Sequence, residues 1–320
     1  MKKLFALLLA LTLIVGASGA LASGTTYITL GTGGTTGTYY ALGAEIAAMW
    51  MQNIEGLDVT VQPTDASKDN IVYVNDGQID VATVQNDSAY YAYEGQLYDG
   101  SDEVFDGFYA IGSLYPEAVQ LMVAADSDIT DVSQLAGLNV GVGAAGSATI
   151  SNAEQVREAA GLTLESISPQ YLGFSETATA FQDLQIEAGF ITSGIPNASI
   201  IEAANARPVR ILTLTDAQWD TLTTNYAFYA PATIPGGTYA GQDEDVTVPA
   251  ITALLIVSKD ADEELVYQLT KTLFECTDQI GHAKAAELNV AAAVEGVPVP
   301  FHPGAARYYA ECGYEVEAGA

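Results

Sequence analysis

Residues 27–43 read YITLGTGGTTGTYYALG. Tyr27 to Leu30 have the apolar and β-branched character of a strand, and they run into glycine and threonine with almost no side-chain bulk until Tyr39 and Tyr40. The residues that follow, as far as Ile54, carry a helical pattern. A strand that turns through glycine into a helix brings backbone N–H groups close to whatever lies beyond the strand end, and such turns cradle anions, nucleotides or small metabolites. LDVTVQPT, ASKDNIVYVNDGQI and DVATVQND continue an alternation that predicts βαβ units and a parallel sheet.

A second series begins near residue 117 with EAVQLMVAA and continues through LNVGVGAAG, the helical SATISNAEQVREAAG, SISPQYL, the helical TATAFQDLQIE, AGFITSG and VRILTL. The chain therefore reads as two similar α/β halves separated by turn-rich or polar stretches, YEGQLYDGSDEVFDG and later PATIPGGTYAGQDEDVTVP. The tail from Asp262 returns to helix in EELVYQLTKTLFECTDQIGHAKAAEL, as expected of a chain that crosses back to complete its first half. The expected organisation is a leader over 1–22, a first lobe over 23–116, a second over 117–245 and a return over 246–320. Two lobes joined by two crossings enclose a cleft, lined by Gly-rich loops at strand C-terminal ends, that closes by hinge motion. The expected fold is thus α/β and two-lobed, with two mixed sheets flanked by helices.

The first 22 residues have the build of an export signal: Lys2 and Lys3, an apolar run from Leu4 to Val15, and Ala20 and Ala22 at a small-x-small cleavage site. The run is too short for a stop-transfer helix, so a cleaved leader and an extracytoplasmic, soluble product are expected. Cleavage leaves eight basic residues against 40 acidic ones, a formal charge of −32. That balance argues against nucleic acid, whose phosphates need clustered Lys and Arg. Cys276 and Cys312 are the two cysteines, and in an oxidising compartment they are expected to pair, closing a loop of about 36 residues worth roughly 3–4 kcal/mol. With two histidines, His282 and His302, and no CxxC, no metal site is expected.

GTGGTTG falls short of a dinucleotide fingerprint because Thr36 stands where the third glycine belongs. VGVGAAGSAT satisfies GxGxxG through Gly141, Gly143 and Gly146, but the next strand ends in Tyr171, Leu172 and Gly173 and lacks the acid that would hold a ribose. GAAGSATIS reads better as a helix start for an anion, with Gly146 admitting close approach and Ser147 and Thr149 supplying hydroxyls; an ordinary Ser or Thr cap is the plainer alternative. Gln85 and Asn86 should emerge at the end of the strand VATV, and Tyr39, Tyr40 and Tyr115 lie beside predicted cleft loops. Catalysis has little support: GxSxG and HExxH are absent, and His302 has no nucleophile nearby in sequence. An exported hydrolytic enzyme and a surface interaction protein using its Gly/Tyr loops remain the alternatives to a binding protein.

YITLGTGGTTGTYYALG, VQNDSAYYAYEG, VGVGAAGSAT, AGFITSGIPNASI and VPVPFHPGAARYY occur in the order and near the spacing of the TAXI-type solute receptors of TRAP transporters, and the chain resembles that family over essentially its whole length after the leader. The resemblance implies a type II periplasmic-binding-protein fold, no catalysis, no cofactor, a monomer, and delivery of a small carboxylate such as glutamate or 2-oxoglutarate to a TRAP membrane permease. The expected ligand-contact set is Gly34, Thr35, Thr36, Tyr39, Gln85, Asn86, Tyr115, Gly146, Ser147, Ala148, Thr149, Ser193 and Gly194. Ala148 departs from the family motif, which commonly has Gly there. The four arginines, Arg157, Arg207, Arg210 and Arg307, are expected in helices or turns away from the cleft loops, so helix starts and hydroxyls would supply the donors.

Overall fold

Two long strands hold the molecule together. In the computed structural model, which describes residues 24–320, β4 (Phe108–Ala124) and β10 (Val246–Ser258) pair antiparallel at the centre of a ten-stranded sheet. On one side, β10 pairs antiparallel with β3 (Val81–Gln85), which leads through β1 (Thr26–Gly31) to β2 (Leu57–Gln62) in parallel register. On the other, β4 pairs antiparallel with β7 (Ala188–Ser193), which leads in parallel to β5 (Asn139–Gly141) and β6 (Ser168–Gln170). β8 (Val209–Ile211) pairs with β4 and β9 (Ala230–Ile234) with β10. The two expected sheets are therefore continuous through two shared strands.

The cores remain separate. One apolar cluster draws on residues from Ile28 to Tyr115 and again from Ala253 to Tyr309. Two others draw on residues from Ala118 to Ile251. The change of core thus falls inside β4 and β10, where their pairing slips between Thr252 and Leu254 and again between Leu255 and Ile256. Pro116, which has no N–H to give a ladder, sits opposite Thr252 at this irregularity. The change of core thus coincides with the irregular stretch of the β4–β10 pairing.

The opening stretch forms its elements for local reasons. Gly37 is extended and starts α1 (Thr38–Asn53), whose buried residues Tyr39, Leu42, Gly43, Ile46, Ala47 and Trp50 recur every three or four positions and make one apolar stripe. Trp50 Nε1 donates to the Leu269 carbonyl at 2.9 Å, binding the return segment to the first lobe. The other helices are α2 (Ser67–Asn75), α3 (Asn86–Tyr93), α4 (Thr149–Ala159), α5 (Phe174–Gln182), α6 (Ala198–Ala206), α7 (Asp216–Asn225), α8 (Glu263–Glu275), the single turn α9 (Val290–Ala293) and α10 (Pro303–Glu311). Among the described residues no helix is long and apolar enough to cross a membrane. The expected leader lies outside the described residues.

Three sequence expectations need correction. The tail helix is not continuous: α8 ends at Glu275, and short 3-10 turns follow at Thr277–Gln279 and Ala283–Glu287, the second capped by the His282 ring, which accepts from the Lys284 N–H. The polar PATIPGGTYAGQDEDVTVP contains a strand, because β9 folds back as a hairpin onto β10 in register from Ile234 opposite Val246. Cys276 and Cys312 are free thiols, each at the C-terminal cap of its own helix. Protein unfolded without reductant should accordingly take up two equivalents of a thiol reagent. Mass-spectrometric counting checks this, and uptake of none would restore the disulfide.

Candidate functional site

The parallel strands β1, β3, β5 and β7 all end toward the gap between the lobes, which is where open α/β sheets place ligands. A cavity of about 30 Å³ lies there. The first lobe contributes Gly33 and Gly37 from the opening loop, Thr38 and Tyr39 from the first turn of α1, Ala66 and Ser67 from the start of α2, and Gln85 from the end of β3. The second contributes Ser147 and Thr149 from the start of α4, Phe174 from α5 and Thr192 from the end of β7. Glu117, on β4 at the crossing, faces the same space.

Helix starts supply the donors. Among the described residues, the N–H groups of Thr38, Tyr39 and Tyr40 have no protein partner, and the Gly37 cap has no side chain to offer them. They carry the positive end of a 16-residue helix. On the opposite wall the Ser147 hydroxyl accepts from the Thr149 N–H at 3.1 Å, so α4 is partly capped from within. α2 is closed off: Lys68 and Asp69 donate their N–H groups to the Gly146 carbonyl of the other lobe at 3.0 and 3.2 Å. Glycine is needed at 146, since a Cβ would lie 2.3 Å from the Asp69 carboxyl. Further bonds across the cleft join Thr38 Oγ1 to Ser193 Oγ at 3.0 Å and the Ser199 hydroxyl to Thr36 Oγ1 at 2.9 Å. The lobes are closed on each other.

The expected contact residues divide accordingly. Tyr39, Gln85, Ser147 and Thr149 line the cavity. Gly34 and Thr35 are exposed on the outer part of the loop, and Gly33 and Gly37 take the inner positions. Thr36, Gly146 and Ser193 bridge the lobes. Asn86 turns its side chain away to the Gly296 carbonyl and the Thr252 N–H. Ala148 is the buried cap residue of α4, Gly194 packs against Thr38 and Lys284, and Tyr115 lies beneath the cavity with its ring 5.5 Å from Lys284 Nζ. The four arginines lie elsewhere: Arg157 donates to Ala153, Arg210 to backbone carbonyls and Arg307 to Glu263 and Glu264, and Arg207 covers the Phe181 ring. His302 is the cap of α10, with one ring nitrogen accepting from Gly304 N–H and the other facing the Ala261 carbonyl.

The residue that sequence reading passed over is Glu117. It is 2 % exposed, and its Oε2 accepts from the Tyr39 hydroxyl at 2.6 Å. Burial raises it to about 8, with the Tyr39 bond pulling the other way. The available signal was one acid inside the otherwise apolar run of β4, LYPEAVQLMV. A second buried acid, Asp87 in the first turn of α3, is raised to about 6 by burial against the opposing bond from the Ser88 N–H. Gln85 Oε1, Tyr115 Oη and Thr192 Oγ1 are buried without a partner around Glu117. Buried polar atoms without a partner call for one, and at this cavity a bound molecule or ordered water can supply it.

Comparisons with known proteins agree on the architecture. The NMT1-like family model matches residues 30–313. Solved structures with the same fold include the periplasmic aliphatic sulphonate binding protein SsuA from Escherichia coli, at 16% identity and a TM-score of 0.50, covering 89% of this chain and 82% of that one. The alkanesulfonate-binding protein SsuA from Xanthomonas axonopodis pv. citri bound to MOPS follows at 17% identity and 0.53, covering 90% and 85%. An ancestral arginine-binding protein bound to arginine, at 16% and 0.50, covers 82% of this chain and 95% of its own. The fold is the two-lobed α/β fold of periplasmic binding proteins.

Proposed function

We propose that this chain, which belongs to the NMT1-like family, is an extracytoplasmic solute receptor that closes its lobes on a small carboxylate and presents it to a TRAP-type membrane permease. One observation carries the carboxylate: Thr38 and Tyr39, whose N–H groups at the start of α1 have no protein partner among the described residues, line an interlobe cavity that includes no Lys or Arg. Helix-start N–H groups and the hydroxyls of Ser147, Thr149 and Thr192 bind an oxyanion without a cation. The motif order described above supports the TRAP assignment, and the class of proteins sharing the fold supports transport. Glutamate and 2-oxoglutarate are the ligands that the family resemblance suggests. Binding and release need no chemical step, so no catalytic role is assigned.

Binding to the folded state alone stabilises it by about 2.7 kcal/mol at a hundredfold excess over Kd. At roughly 2–4 °C per kcal/mol, the melting temperature should rise by several degrees. A panel of amino acids, 2-oxoglutarate, C4-dicarboxylates, sugars and polyamines should give its largest shift with a small carboxylate. Ser147→Asp, which places a negative charge beside the helix start, should abolish that shift. A full shift in the variant would remove Ser147 from the site, and a response to sugars or polyamines alone would overturn the carboxylate.

A further inference from the structure

We propose that the ligand is a zwitterionic α-amino acid with an uncharged side chain, its ammonium held by the free oxygen of Glu117 and its carboxylate by the start of α1. The inference rests on the carboxylate reading above and narrows it away from dicarboxylates. Of the two Glu117 oxygens, Oε2 is taken by Tyr39, while no protein group bonds Oε1 among the described residues, and the side chain faces the cavity. The nearest cation does not complete it: Lys284 Nζ is bonded to Glu287 at 2.6 Å and lies over the Tyr115 ring. Asp87 adds a second negative group behind Glu117, and the remaining ionisable neighbours, Tyr39 and Tyr115, are held neutral by burial.

A dicarboxylate would bring two negative charges into a cavity lined by no Lys or Arg, and it could lie against Glu117 only while that acid keeps its proton. A zwitterion brings one charge of each sign, and the site has a pole for each. Tyr39 belongs to the first turn of α1 and its hydroxyl touches Glu117, so the negative and positive poles stand one tyrosine side chain apart. The ammonium and carboxylate of an α-amino acid share one carbon, and a hydrogen bond of about 2.9 Å at each end lets them span that gap.

The test uses matched pairs on the wild-type protein: alanine against pyruvate and lactate, serine against glycerate, glutamate against 2-oxoglutarate. Titration calorimetry at pH 7 in two buffers of different ionisation heat gives both affinity and proton exchange. Alanine or serine should bind at least tenfold more tightly than its keto or hydroxy partner and more tightly than glutamate, with a proton released as Glu117 ionises against the ammonium. Glu117→Gln, checked for cooperative unfolding, should bring the amino-to-keto ratio close to one and abolish proton release. Tighter binding of pyruvate or 2-oxoglutarate, or proton uptake on binding, would overturn the amino-acid assignment while leaving the carboxylate receptor standing. Binding of no carboxylate at all would overturn both.

Discussion

Glu117→Gln is expected to make the ligand-free protein more stable than wild type in mild alkali while changing little in acid. The gap between the ordinary glutamate value of 4.5 and about 8 corresponds to about 5 kcal/mol. The sign follows from proton binding. Between those values the folded state holds a proton that the unfolded chain has lost, so the contribution of Glu117 to stability is full below pH 4.5 and disappears as the pH climbs through 8. Glutamine keeps the shape and an acceptor for the Tyr39 hydroxyl, and it cannot ionise. The difference in unfolding free energy between variant and wild type, measured by denaturant titration from pH 4.5 to 8.5, should move by about 5 kcal/mol in the variant's favour. A difference that stays constant with pH would mean that Glu117 ionises freely in the folded state and is not the buried acid described. Asp87, raised from 3.8 to about 6, acts in the same direction at lower pH in both proteins.

Gly194→Val should weaken ligand binding by roughly five- to a hundredfold and leave the separate lobe cores intact. A Cβ at 194 would lie 2.9 Å from both Thr38 Oγ1 and Lys284 Cε, with Thr38 Cγ2 at 3.1 Å. Thr38 is fixed in the first turn of α1 by its bond to Ser193, so it cannot move aside without breaking a contact across the cleft. Overpacking of this kind costs about 1–3 kcal/mol, and here the cost falls on the closed form, because opening the hinge separates residue 194 from α1. Affinity measured by thermal shift or calorimetry should fall while the far-ultraviolet spectrum stays unchanged. Undiminished affinity would show that the ligand does not require this closed arrangement.

Much of the first lobe was legible because its signals are local. The opening strand, glycine turn and helix follow one another within 30 residues, and the Gly-rich start of α4 announces itself in the same way. The alternation of strands and helices carried the two-lobed α/β class. The centre of the site was not legible, because it depends on sheet register. Glu117 lines the cavity from the stretch of β4 next to Pro116, opposite Thr252, where the pairing with β10 is irregular and the strand passes from one core to the other. Lys284 reaches Tyr115 from 169 positions further along the chain, and no short-range pattern predicts that approach. Asn86 looked as suitable as Gln85, its neighbour, but a hydrogen bond to Gly296 from the returning tail takes it out of the cleft. The expected disulfide rested on compartment and loop length alone, with no knowledge of where two helix ends point.

Clamping of a small solute between the lobes is tested most directly by small-angle X-ray scattering with and without the solute that gives the largest thermal shift. The ligand-free protein should scatter as a more open particle, and saturating ligand should lower the radius of gyration and bring the curve onto that of the closed structure described here. Saturation of binding with no change in the curve would contradict closure of the lobes on a ligand.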